Sequence, residues 1–159
     1  MKVLGIDPGT RVCGYGVIEC SGGEPHMLDY GVLQSRDASV SARLKTIYDG
    51  LVEVIERLGP DVAAVETAFF GKNVRSALRI GEGRGVALLA AASRGLTVAE
   101  YSPAEVKKAV VGTGRAGKWQ VQQMVRVLLH IAAEELPEDA ADALAIAICH
   151  SHRMPAEEL

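Results

Sequence analysis

The sequence predicts an α/β domain built on a mixed five-stranded sheet with helices on both faces. Three observations predict it. Near the N-terminus, three short segments of alternating apolar residues are joined by links short enough to favour antiparallel hairpins. Two later apolar runs, residues 62–65 and 96–99, are each bracketed by helical patterns, as buried parallel strands are. The segments between them repeat apolar residues at spacings of three and four. At 159 residues the chain fits one domain with a sizeable core. We place that domain at residues 1–152 and expect residues 153–159 to form a frayed tail.

The first strand reads from Lys2 to Ile6, and Gly9 and Thr10 turn it into a second from Cys13 to Glu19. Gly22, Gly23 and Pro25 break that strand from a third, Met27 to Leu33. Ser39 then caps a helix with its stripe on Leu44, Ile47, Tyr48, Leu51, Val54, Ile55 and Leu58, closed by Gly59 and Pro60. The strand at Val62 to Val65 leads to a helix from about Val74 to Ser93. There Gly81, Gly83 and Gly85 mark a kink or a close packing face. Ala77, Leu78, Val86, Leu88 and Leu89 give this helix more apolar surface than one stripe needs, so part of it is expected to meet a second copy of the chain. After the strand at Leu96 to Ala99, Ser102, Pro103 and Glu105 carry the pattern of a capped helix start. "VGTGRAGK", residues 111–118, reads as a flexible loop. Trp119 to Ala133 and Glu138 to about His152 read as helices, with Trp119 a core residue and His150 and His152 structural or surface residues.

Charge is unevenly distributed. Residues 71–130 hold ten Lys and Arg against three acids, a balance of +7, although the whole chain carries -3. One basic face on an acidic body suits a polyanion; ordinary surface decoration is the alternative. The longest apolar runs, such as "GVALLAAA", are too short to cross a bilayer, and the N-terminus lacks the pattern of a signal peptide. Cys13, Cys20 and Cys149 have no metal-ligand spacing and read as free thiols of a reducing cytoplasm, the expected location.

The acids carry the chemistry. Asp7 closes the first strand and Glu66 closes the first parallel strand. If these strands are neighbours, both carboxylates emerge at one sheet edge, where sites in such sheets gather. Asp139 and Asp142, three apart, share a helical face beside the apolar stripe of Leu144, Ala145 and Ile148. Each acid alone also reads as a cap or a solvated surface group. Four together would repel one another unless a cation compensates them. Magnesium takes oxygen ligands, and a pair of such ions activates water and stabilises the leaving oxygen of a phosphodiester.

Four stretches carry a resemblance: "GIDPGTRVCGYGV", "ETAFFGKNVRSALRIGEGRG", "SPAEVKKAVVGTGRAGKWQVQ" and "DAADALAIAICH". In this order and spacing they resemble the signatures of the RuvC family, the bacterial crossover (Holliday) junction endodeoxyribonucleases. The resemblance implies a ribonuclease H-like fold and a homodimer nicking two strands of like polarity symmetrically, leaving 5'-phosphate and 3'-hydroxyl ends. It also implies dependence on magnesium or manganese, preference for a short thymine-centred site, and action with the branch-migration proteins RuvA and RuvB. Residue by residue, it implies that Asp7, Glu66, Asp139 and Asp142 are the catalytic, metal-holding acids, although some members carry histidine where this chain has Asp139. Lys107 and Lys118 match lysines that hold phosphate. Phe69 matches an aromatic that meets an unpaired base, with Phe70 directly after it leaving open which ring does so. From the basic segment, Lys72, Arg75, Arg79, Lys108 and Arg115 join the candidate DNA contacts, with Arg75 and Arg79 equally readable as solvent-facing.

Three other functions compete. A nuclease of the same fold acting on RNA–DNA hybrids or another branched nucleic acid would show the same acids. "GIDPGT" also resembles the phosphate hairpin of the sugar kinase and actin group, but those proteins need a second domain for which 159 residues leave no room. A binding module without chemistry sits poorly with four retained acids.

Overall fold

The computed structural model describes residues 1–67, 73–132 and 136–154. Five strands, β1 (Lys2–Asp7), β2 (Val12–Ser21), β3 (Glu24–Gln34), β4 (Val62–Glu66) and β5 (Thr97–Tyr101), form one sheet in the order β3-β2-β1-β4-β5. β1, β2 and β3 pair antiparallel, whereas β1, β4 and β5 run parallel, so the mixed sheet is as predicted. Helices α1 (Val40–Leu58) and α2 (Val74–Ser93) cover one face. α3 (Pro103–Val111), α4 (Lys118–Leu129) and α5 (Glu138–Ser151) cover the other.

Strand alternation decides which side chain meets which layer. In β1, Leu4 and Ile6 pack with Ile47, Leu51 and Ala87 beneath α1 and α2. Val3 packs toward α5; by the same period, Gly5 and Asp7 face that way. β4 repeats the pattern, with Ala63 and Val65 on the α1–α2 side and Val62 and Ala64 on the α5 side, which leaves Glu66 on the α5 side.

The centre of the sheet under α5 is almost without side chains. A Cβ on Gly5 would stand 1.9 Å from the Ala143 carbonyl oxygen, one on Gly14 2.0 Å from that of Asp139, and one on Gly16 2.5 Å from Leu144. This glycine floor lets α5 sink onto the strands, and every residue from Ala143 to Ser151 is buried. The glycines singled out in α2 behave differently. Gly83 packs against the backbone of Gly9, but Gly81 and Gly85 face open space.

Helix ends follow local chemistry. Gly59 closes α1 in the left-handed conformation at φ 56°. Ser102 and Glu105 form a reciprocal capping box at the start of α3: the Ser102 backbone N–H donates to Glu105 at 2.7 Å, and the Ser102 hydroxyl accepts from the Glu105 N–H at 3.3 Å. Ser102→Ala is expected to cost about 1 kcal/mol in urea unfolding, and an unchanged midpoint would show that the cap adds nothing. α4 corrects the sequence reading. It starts at Lys118 and stops at Leu129, because His130 adopts the left-handed conformation at φ 54° and the Ile131 N–H turns back to the Arg126 carbonyl at 3.0 Å. Trp119 is a second correction: it is 70% exposed, because α4 buries Val121, Val125 and Leu129 instead.

His150 is structural, as predicted. It is buried, with its Nδ1 2.8 Å from the Tyr101 hydroxyl. At the start of the expected tail, Arg153 pairs with Glu105 at 2.9 Å and lies over the Tyr101 ring; residues 155–159 are outside the described range. The cysteines are free and buried, Cys13 in the α1–α2 layer and Cys20 and Cys149 in the α5 layer. Among the described residues no helix is long and apolar enough to cross a membrane.

Candidate active site

Register brings the first two acids together. β1 and β4 pair Ile6 with Val65, so Asp7 and Glu66 leave adjacent parallel strands at the same level and on the same face. The turn after Asp7 is held by the buried Arg43, which donates to the carbonyls of Thr10, Asp37 and Ala38. Beyond Glu66, Thr67 donates its N–H to the Tyr101 carbonyl at 2.8 Å, which fixes β4 against β5. α5 starts over this edge, because Gly14, paired with Asp7 across β2, lies directly under the Asp139 backbone.

Asp7, Glu66 and Asp142 line a cleft of about 240 Å³, with Lys107 and Lys118 across from them and apolar walls at Val106 and Val121. Asp7 and Glu66 also border a second groove of about 340 Å³ that runs past Thr67 to Ile80 and Arg84. The two hollows share Pro103 and the two strand-end carboxylates, so they meet above the acids. Asp139 lines neither cleft, yet its charge acts on Asp7.

The electrostatics are those of a negative cluster short of compensation. Burial, then the charges of Asp142, Asp139 and Glu66, push the Asp7 carboxyl up to about 7. Glu66 is raised by burial and by Asp142, against Lys107 and Lys118. Asp142 is raised by burial although Lys118 pulls the other way. The Lys118 ammonium stands 3.0 Å from Asp142 and 3.1 Å from Glu138. Burial works against its charge, but these pairs hold its pKa above the ordinary lysine value.

Among the described residues, no three His, Cys, Asp or Glu side chains stand together at ligating spacing. The donor set nevertheless fits a hard cation. It offers carboxylate oxygens only, and burial together with the charges of Asp142, Asp139 and Glu66 outweighs Lys118 in raising the Asp7 carboxyl.

The other predicted contacts spread outward from the cleft. Lys107 lines it; Lys108 and Arg115 are exposed nearby, and Arg75 and Arg79 are exposed on the first turns of α2. None of these five makes an ion pair with a described residue, so their charges are available to a polyanion. Phe69, Phe70 and Lys72 lie outside the described residues. Sequence reasoning passed over two residues. Glu138 pairs with Lys118, and Arg84 borders the second groove while pairing with Glu100 at 2.6 Å. The adjacency of Glu138 to Asp139 was the available signal for the first. For Arg84 there was only the general basic bias.

A family model described as "Crossover junction endodeoxyribonuclease RuvC" matches residues 3–150. The chain belongs to the RuvC family. A curated RuvC from Syntrophotalea carbinolica is 57% identical over 153 residues, covering 96% of this chain and 94% of the relative. One from Chloroflexus aggregans is 53% identical over 156 residues, covering 98% and 95%. Among solved structures, Thermus thermophilus RuvC in complex with Holliday junction substrate superposes with a TM-score of 0.87 at 36% identity, covering 95% of this chain and 93% of that one. The yeast mitochondrial Holliday junction resolvase Ydc2, at 18% identity and a TM-score of 0.65, shares the fold. RuvC membership agrees with the ribonuclease H-like architecture read from the sheet order.

Proposed function

We propose that this chain is a structure-selective endodeoxyribonuclease that resolves four-way DNA junctions by paired symmetric nicks, leaving 5'-phosphate and 3'-hydroxyl ends. The observation that carries the reading is the convergence of Asp7, Glu66 and Asp142 on one cleft opposite Lys107 and Lys118, in a chain of the RuvC family. Asp7, Glu66, Asp139 and Asp142 are the residues that would hold magnesium, two ions per site, with manganese as a substitute. Bound there, the metal would supply a water of lowered pKa and neutralise charge on the phosphodiester.

The chain's own side chains do the rest. Lys107 and Lys118 flank the carboxylates and bind the phosphate that those carboxylates would otherwise repel. Glu138 and Asp142 keep the Lys118 ammonium beside the cleft. Val106 and Val121 wall the cleft with apolar surface, which lowers the local polarity and strengthens each charge interaction. Arg75, Arg79, Lys108 and Arg115 extend the basic track to the junction arms, and Phe69 or Phe70 meets an unpaired base near the crossover.

A homodimer supplies two clefts at a fixed separation. Its face is α2, where Val74, Leu78 and Leu89 are 74%, 64% and 60% exposed. Covering these residues with a second copy removes an apolar stripe from water. Cytoplasmic action with RuvA and RuvB completes the reading.

The test is a synthetic four-way junction labelled on each strand in turn, beside linear duplex and an RNA–DNA hybrid. The expected result is magnesium-dependent nicking at symmetric positions in the junction alone. Preferential cutting of the hybrid, or junction binding with no cut, would overturn the resolvase reading.

A further inference from the structure

The single tryptophan of the chain stands 70% exposed beside the active site, and nothing in the proposed chemistry uses it. Trp119 forms a wall of a groove of about 370 Å³ between the end of α3 and the outer face of α4. Val111, Ala116 and Met124 give the groove its apolar surface, while Thr113 and Gln123 add a hydroxyl and an amide. Every lining side chain is uncharged. Gln120 is committed locally, since its side-chain oxygen accepts from the Gly117 N–H at 2.8 Å. The Thr113 hydroxyl accepts from the Arg115 N–H at 3.3 Å and keeps its own proton to donate.

Two observations say what occupies the groove. The first is charge. From Val106 to Ala132 the chain has five Lys and Arg and no acid, so the uncharged hollow sits in a wholly basic stretch. The second is continuity with the cleft. Lys118, the residue before Trp119, reaches Asp142, and Val121 walls the cleft, while Trp119, Gln123 and Met124 wall the groove. One helix therefore separates the two hollows, and a strand leaving the carboxylates past Lys118 comes next to Trp119. An aromatic wall with a neutral donor and acceptor suits a nucleobase, while the exposed Arg115, between the lining residues Thr113 and Ala116, suits its phosphate.

We propose that this groove is a second nucleotide subsite, in which a base freed from pairing beside the junction stacks on Trp119 with its edge toward Gln123 and Thr113. The inference rests on the junction reading above. Arg115, in the loop between Thr113 and Ala116, holds the backbone at the mouth.

Because the chain has one tryptophan, its intrinsic fluorescence reports the groove directly. The experiment titrates the full chain with a four-way junction in calcium, in place of magnesium, and with linear duplex of matched length. The junction is expected to quench the emission more than the duplex does. Trp119→Ala is expected to weaken junction affinity roughly fivefold to a hundredfold, and Trp119→Phe to restore most of it. An exposed side chain carries little of the core, so the variants test contact rather than folding. Junction binding that leaves emission unchanged, equal quenching by duplex, or an alanine variant with unaltered affinity would each overturn the subsite. The last result would assign the groove to another occupant, such as an acidic amphipathic peptide. A chain that nicks junctions with a silent tryptophan loses only the subsite; one that neither binds nor nicks them loses the function on which it rests.

Discussion

Replacing Asp7 with asparagine is expected to abolish junction cleavage and, in the same protein, to raise folding stability at neutral pH. The first effect follows from removing a carboxylate that both strand register and the cleft place at the centre of the site. The second follows from its titration. In the fold Asp7 takes up its proton at about 7, against an ordinary value of 3.8, because burial and three neighbouring acids disfavour the charge. A carboxyl with a raised folded pKa contributes stability that is fully present below the unfolded value and lost as pH rises through the folded one. Without metal, the wild-type chain therefore loses stability between about pH 4 and pH 7, by at most about 4 kcal/mol from this group. Asparagine carries no charge at any pH and keeps what the carboxylate loses. Urea unfolding of both proteins in a chelator from pH 5 to pH 8 checks this. Parallel pH profiles for the two would refute the assignment of strain to Asp7. Such a site trades stability for function, and a cation would settle the debt that the lysines leave.

Gly14→Ala is the second change with a large expected effect, though it deletes no chemical group. The new methyl would lie 2.0 Å from the Asp139 carbonyl oxygen and 2.4 Å from its carbon, and this neighbour is backbone that cannot rotate away. The start of α5 has to lift from β2, carrying Asp139 and Asp142 with it. Overpacking of this kind costs about 1–3 kcal/mol. The sharper readout is the magnesium titration of cleavage. Misplaced carboxylates are expected to shift its midpoint to higher metal concentration and lower the plateau, with junction binding largely retained. A variant that cuts with wild-type metal dependence would show that α5 tolerates the displacement.

Much of this arrangement was legible in the sequence because it follows short-range rules. Asp7 and Glu66 each end an apolar strand, and the sequential order of hairpins and helix-linked strands fixed their sheet neighbours. Ser39 and Ser102 announced helix starts through chemistry within three residues. What stayed hidden depends on segments far apart in the chain. The Lys118–Glu138 pair joins two helices, and the need for glycine at positions 5, 14 and 16 appears only when α5 is laid across β1 and β2. The end of α4 was missed because a histidine, not a glycine, takes the left-handed position. Trp119 was misplaced by residue type. The spacing of Val121, Val125 and Leu129 already defined a buried stripe that excludes it.

The three buried cysteines turn the molecule into its own recorder of motion. Burial pushes the Cys13 thiol up to about 12 and that of Cys149 up to about 11, so neither is a nucleophile while the fold is closed. Each becomes reactive only during an opening that lets water in. Cys13 sits in the layer beneath α1 and α2, and Cys149 on α5 itself. The order in which an alkylating reagent reaches them distinguishes a breath of the outer helices from the lifting of the helix that carries two of the four carboxylates.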